Sequence, residues 1–272
     1  MSTVIASPIL PPEQAERLIP RVSLWPLSPG DFQAMQDHNV ILQGDPVELV
    51  DGCLVRSNAS AAWPQLDELS TWCDVETASG VERLPIWRLS VAQYEELLEI
   101  GVLQSGDKCE LIDGLLVRRM TTNSGHIVSS HRVRDIMSRL LPPKTHVRMQ
   151  APISMNHSEP EPDIAVVRGA LEDYSKAHPG PADVLLAVEV SDSSLNFDRT
   201  KKLRVYAGNR ISEYWIVNLI DRRLEIHRDP TGAIKNPAYR EQVILGEDDQ
   251  MQLIIDGHQC GAIRVSDLLP PA

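Results

Sequence analysis

LLAVEVSDSSLNFDRTKKLRVYAG (Leu185–Gly208) sets a glutamate inside an apolar strand. Val184–Val190 is a short, continuous apolar run of the kind that forms a buried strand. Phe197–Ala207 reads as a helix stopped by Gly208. Glu189 lies in the middle of the strand, where a carboxylate is costly unless something pairs with it. On the helix, Asp198, Lys202 and Tyr206 are spaced i, i+4 and i+8 and so share one face. Lys201 points about 100° away on an ideal helix.

Further extended runs flank this stretch. His146–Ser154 and Asp163–Val167 precede it, and Glu213–Leu219, Arg222–Arg228 and Tyr239–Leu245 follow. Met251–Ile255 and Ala262–Val265 are expected to add an edge. Before them a helix begins near Ser124, the expected N-cap, and Pro142-Pro143 ends it. This order predicts a mixed β-sheet flanked by helices, an α/β (α+β) core.

In Glu161-Pro162-Asp163-Ile164, Pro162 cannot donate to a ladder, so Asp163 falls at the mouth of a strand. A neighbouring strand would bring Asp163 close to Glu189. Two adjacent carboxylates raise each other's pKa. A divalent cation resolves that conflict, and Mg²⁺ prefers one or two carboxylates with waters and phosphate oxygens.

The ordered set CELIDGLLV, Gly125-His126, EPDIAVV, LLAVEVSDSS, D-R-x-x-K-L-x-x-Y and SEYWIVNL resembles the PD-(D/E)xK nuclease superfamily. More narrowly it resembles the Uma family of restriction-endonuclease-like proteins, over about residues 88–250. The resemblance implies a Mg²⁺- (or Mn²⁺-) dependent endonuclease acting on nucleic acid, with DNA the favoured substrate. It implies Asp163 and Glu189 as metal ligands, assisted by the Val190 carbonyl. It further implies Lys202 as the catalytic lysine, Glu110 as an auxiliary acid, His126 near the site, and pairing as a homodimer. The superfamily lysine two residues after the glutamate is Ser191 here, and Lys202 on the following helix takes its place. A catalytically inactive nuclease-fold binding or regulatory module is the alternative, as is a purely structural Glu189–Lys202 ion pair.

The chain also repeats itself. Trp25–Arg56 aligns without gaps to Trp87–Arg118 at an offset of 62, with 13 of 32 positions identical. Each copy reads as a short helix and then a hairpin, with Asp51-Gly52 or Asp113-Gly114 at the turn. In the second copy Tyr94, Leu97 and Leu98 recur at helical spacing. The expected division is a loose lead-in (1–21), a degenerate partial repeat plus linker (22–84) and a restriction-endonuclease-like domain (85–272).

A net charge of −12 argues against non-specific DNA binding through a broad basic surface. Cys53, Cys73, Cys109 and Cys260 form no C-x-x-C pair, so neither a zinc site nor a disulfide framework is expected. No segment reads as a secretory leader or membrane span. The expectation is a cytoplasmic protein with no membrane contact.

Overall fold

The computed structural model describes residues 4–5, 23–56, 72–77, 80–104, 106–120 and 122–271. The expected lead-in therefore lies mostly outside the described residues. Two compact units form: Arg21–Arg119 with Asn156–Glu159, and Met1–Pro20 with Met120–Met155 and Pro160–Ala272. The expected division at 84/85 does not coincide with this split, because the second helix–hairpin segment shares a core with the first.

In chain order, β1 (Val4–Ile5) comes first and belongs to the larger unit. The repeat unit then builds α1 (Pro29–Asp37), β2 (Val47–Val50), β3 (Cys53–Arg56), β4 (Trp72–Thr77), β5 (Gly80–Pro85), α2 (Val91–Glu99), β6 (Cys109–Ile112) and β7 (Leu115–Arg118). Helices and hairpins of the two copies fall at the same 62-residue offset. Ser28 and Ser90 each close a capping box, with Asp31 and Gln93 as reciprocal partners. Asp51-Gly52 and Asp113-Gly114 all have positive φ, as the tight hairpin turn requires. A Cβ at Gly114 would meet the Leu89 carbonyl oxygen at 2.9 Å. Leu27, Met35, Ile41 and Leu54 join Leu89, Leu97, Leu103 and Leu116 in one core. Leu98, expected on the apolar face, is instead exposed. Part of the expected linker is ordered: β4 and β5 pair antiparallel, with Trp72 opposite Pro85.

The larger unit adds α3 (Ser124–Leu140), β8 (Thr145–Met149), β9 (Ile164–Arg168) and β10 (Val184–Ser191). A helical run follows: α4 (Leu195–Phe197), a π turn (Asp198–Lys202) and α5 (Leu203–Gly208). Then come β11 (Glu213–Asn218), β12 (Arg223–Pro230), β13 (Tyr239–Gly246), β14 (Gln250–Ile255), β15 (His258–Arg264) and α6 (Val265–Leu268). Among the described residues the main sheet has seven strands, ordered β1-β13-β12-β11-β10-β9-β8. β10 and β11 are parallel, joined by the helical run as a βαβ crossover, and the other pairs are antiparallel. The mixed α/β architecture is as expected.

Three local readings change. The N-cap of α3 is Asn123, not Ser124, because its Oδ1 accepts from the His126 N–H at 2.9 Å. The extended run from His146 stops at Met149, since Gln150 turns with φ 45°. β14 and β15 pair with each other and not with the main sheet.

The two faces of the main sheet differ in chemistry. Leu186, Val188, Val190, Ile164, Trp215 and Ile226 form one apolar face against Val133, Ile136 and Met137 of α3. The alternate positions, Glu189, Ser191, Tyr214, Asn218, Glu225 and His227, are all buried on the other face. His227 stacks on Tyr214 with ring centroids 5.8 Å apart, and its Nε2 has no hydrogen-bond partner among the described residues. Burial pushes the His227 imidazole down from 6.5 to about 4, and Arg199 adds to this against the opposing charge of Glu225.

That depression predicts a pH-dependent stability. Because the folded value lies below the unfolded one, the unfolded chain takes up a proton first as pH falls. The His227 contribution is intact above about pH 6.5 and is lost progressively toward about pH 4. The loss is on the order of 3 kcal/mol. Denaturant unfolding of the parent and His227→Phe across this range should show the variant with the shallower slope. A second prediction concerns the hairpin turn: Gly114→Ala should cost about 2 kcal/mol by the same assay, from strain at positive φ and the contact with Leu89.

Candidate active site

Asp163 lies one residue before β9 and opposite the end of β10, where Ile164 pairs with Val188. Its Oδ2 accepts from the Val190 N–H at 2.9 Å and lies 3.1 Å from His126 Nε2. Gln150 Nε2 donates to its Oδ1 at 3.4 Å. Burial alone would push this carboxyl up. His126, the Val190 N–H and the Lys202 charge outweigh burial and hold Asp163 below the usual aspartate value. Its ionised form is therefore the stable one near neutral pH.

Glu189 is 4% exposed. Its Oε1 accepts from Lys202 Nζ at 2.9 Å and from the Tyr206 hydroxyl at 2.8 Å. Lys202 is itself only 7% exposed. The i, i+4, i+8 face read from the sequence is thus turned toward β10. Asp198 meets the next inward residue of that strand, with Ser191 Oγ donating to its Oδ2 at 2.7 Å. Burial pushes the Asp198 carboxyl up despite Lys202 and the nearby hydroxyls. Tyr214 hydroxyl donates to the Asp198 backbone oxygen at 3.2 Å.

The π turn between Asp198 and Lys202 is held from outside as well. Arg199 Nε donates to Glu225 Oε2 at 2.9 Å, and the other guanidinium arm reaches Glu225 Oε1. Asn218 Nδ2 donates to the same Oε1 at 2.8 Å. Single π turns are rare and recur at functional sites.

His126 is placed by the start of α3. Asn123 caps the helix through Oδ1 and donates through Nδ2 to Asp192, just past β10. This clamp brings the first turn of α3 to the strand end, and His126 to Asp163. Glu110, the expected auxiliary acid, is buried on β6 in the repeat unit, opposite Val117. Asn123, Gln150 and Asp192 escaped the sequence reading, and Ser191 was noted only as the residue in place of the superfamily lysine. Asp198 and Tyr206 were signalled by their helical spacing.

No group of three or more His, Cys, Asp or Glu side chains fit to hold a metal occurs among the described residues. The oxygen atoms that could hold a cation at the strand end are those of the Asp163 and Glu189 carboxylates and of the Val190 backbone. In an extended strand a residue's N–H and C=O point the same way. The Val190 carbonyl therefore faces the side on which its N–H meets Asp163. Two carboxylates and a carbonyl, all oxygen, fit a hard cation such as Mg²⁺ or Mn²⁺ that completes its shell with water and phosphate. No helix among the described residues is long and apolar enough to cross a membrane.

A family model described as "Uma2: Putative restriction endonuclease" matches residues 91–260. Among solved structures, a "putative nuclease belonging to DUF820" from Anabaena variabilis is similar at a TM-score of 0.51 and 12% identity. The match covers 66% of this chain and 97% of that one. At that identity the likeness concerns the fold. No curated protein matches the chain.

The buried pair at this site yields a stability prediction. Lys202→Met strands the Glu189 carboxylate and should cost ~3–5 kcal/mol in denaturant unfolding. The double variant Glu189→Gln/Lys202→Met should recover part of that loss. A Lys202→Met cost under ~1 kcal/mol would mean that the pair behaves as a solvated surface bridge.

Proposed function

Because the chain belongs to the Uma2 family, described as "Putative restriction endonuclease", we propose that it is a divalent-metal-dependent endonuclease that hydrolyses phosphodiester bonds of DNA. The reading rests on one observation above others. Asp163, Glu189 and Lys202 come from three separate segments and converge on the last residues of β10.

In this reading Asp163, Glu189 and the Val190 carbonyl hold the cation. When bound, Mg²⁺ or Mn²⁺ supplies Lewis acidity toward the phosphate and the attacking water. His126 fixes the Asp163 carboxylate through Oδ2 and helps keep it ionised. Tyr206 fixes Glu189 at Oε1, leaving Lys202 with a defined place for its ammonium group. That ammonium stabilises the negative charge that grows on the phosphate oxygens as the water oxygen bonds to phosphorus and the ester bond breaks. The attacking water releases a proton to solvent as its oxygen bonds to phosphorus, and the leaving oxygen takes one up from solvent, so the step balances.

The overall acidity supports a second reading, a nuclease-fold module that binds without cutting. A net charge of −12 supplies few basic walls for a duplex.

Plasmid DNA with Mg²⁺ or Mn²⁺ separates the two. The parent should nick or linearise it, and Asp163→Asn, Glu189→Gln and Lys202→Met should each lose ~10²–10³-fold in rate. Equal rates in all four proteins would remove this site from the reaction. Calorimetric titration with Mn²⁺ adds a readout independent of turnover: the parent should bind, and Glu189→Gln should not. An inert parent that also fails to retain DNA in a mobility assay would favour the binding or regulatory module.

A further inference from the structure

The leading segments of the two helix–hairpin copies cross over to each other. Trp25 N donates to the Leu116 carbonyl at 2.9 Å, and Leu24 bridges antiparallel to Val117. At the same offset, Trp87 N donates to the Leu54 carbonyl at 2.8 Å, and Ile86 bridges antiparallel to Val55. Each contact is the other with the copies exchanged. The side chains follow the same rule: Arg118 lies over the Trp25 ring and Arg56 over the Trp87 ring, both at 5.7 Å from the centroid.

Two residues further on, each segment returns to its own hairpin. Leu27 N donates to Gly52 O at 2.9 Å and Leu89 N to Gly114 O at 2.8 Å. A cavity at this crossing is lined by matched positions: Trp25 with Trp87, Leu27 with Leu89, and Leu54 with Leu116. Residue i of one copy meets residue j of the other, and j meets i. That reciprocity is the mark of a two-fold interface between identical subunits, and exchange of an identical element is how such dimers form by swapping.

We infer that the described residues of the two copies, within 23–56 and 85–118, form a two-fold assembly within a single chain, each copy serving as the other's partner. The outer edge of β7 is a seat for an extended segment in which an apolar residue precedes a tryptophan. The outer edge of β3 is the equivalent seat. An unpaired strand edge recruits strands from other chains. Here the occupant of each seat is the leading segment of the companion copy, supplied in cis. The first copy, which lacks any counterpart of Asp163 or Glu189 in its own segment, acts as a built-in partner that closes these edges to a second molecule. This inference stands apart from the nuclease reading and is unaffected by its outcome.

Paired cysteines test it in the full chain. Directly opposed antiparallel positions bring Cβ atoms near disulfide range. Leu24→Cys/Val117→Cys and Val55→Cys/Ile86→Cys are oxidised separately, alongside the parent as control for its native cysteines. Both pairs should close within the chain, giving a faster-migrating monomer band on a non-reducing gel that reverts on reduction. An equimolar mixture of Leu24→Cys and Val117→Cys single variants should give no covalent dimer. A covalent dimer from either pair or from the mixture, or failure of either pair to close, overturns the inference.

Discussion

A carboxylate on the inward face of a central strand constrains the rest of the larger unit. Glu189 is costly to bury there unless a cation and a further donor come to it, because a stranded buried charge costs ~3–5 kcal/mol, a large share of a domain's net stability. Lys202 and Tyr206 meet the need from one helical run, and they do so only if that run docks at one phase and one height on the sheet. Ser191 with Asp198, and Arg199 with Glu225, extend the same polar contact along the interface. The helix is therefore seated by hydrogen bonds with fixed partners where an apolar face would tolerate sliding.

The opposite face of the sheet does a different job. Leu186, Val188 and Val190 pack on Val133, Ile136 and Met137 with no polar demand, and that face supplies burial. Its helix nevertheless contributes to the site through its first turn. Asn123 satisfies an amide of α3 and ties the helix to Asp192, so that His126 stands at Asp163. One strand, β10, thereby collects groups from both layers at its C-terminal end, where ligands commonly bind in α/β sheets.

How much of this was legible follows from the range of each interaction. The oddity of Glu189 in an apolar run, the shared face of Asp198, Lys202 and Tyr206, and the Asp-Gly turns are local patterns, and the structure repeats them. The roles of Asn123, Gln150 and Asp192 depend on residues 69, 13 and 69 positions away, and no local period encodes such partners. The cap of α3 shows the limit well: Ser124 and Asn123 are both good caps, and only the backbone geometry chooses. For β14 and β15, propensity predicts strands at an edge but does not name their partner, which is each other. Only the resemblance assigns Glu110 to the site, and the residue lies in the repeat unit.

The widened turn at Asp198–Lys202 has a bearing on the length of this segment. Such a turn is in effect a one-residue insertion absorbed without breaking the helix. Asp198, its first residue, meets Ser191, and Tyr206, beyond its end, meets Glu189. Deleting a single residue within it would return the segment to a regular α-helix and shift the side chains inside the turn, Lys202 among them, against the strand by as much as one residue's rotation of about 100°. Chain spacing in this stretch is consequently as restrictive as side-chain identity, and an aligned lysine in a homologous protein corresponds to Lys202 only when the loosened coil is there too.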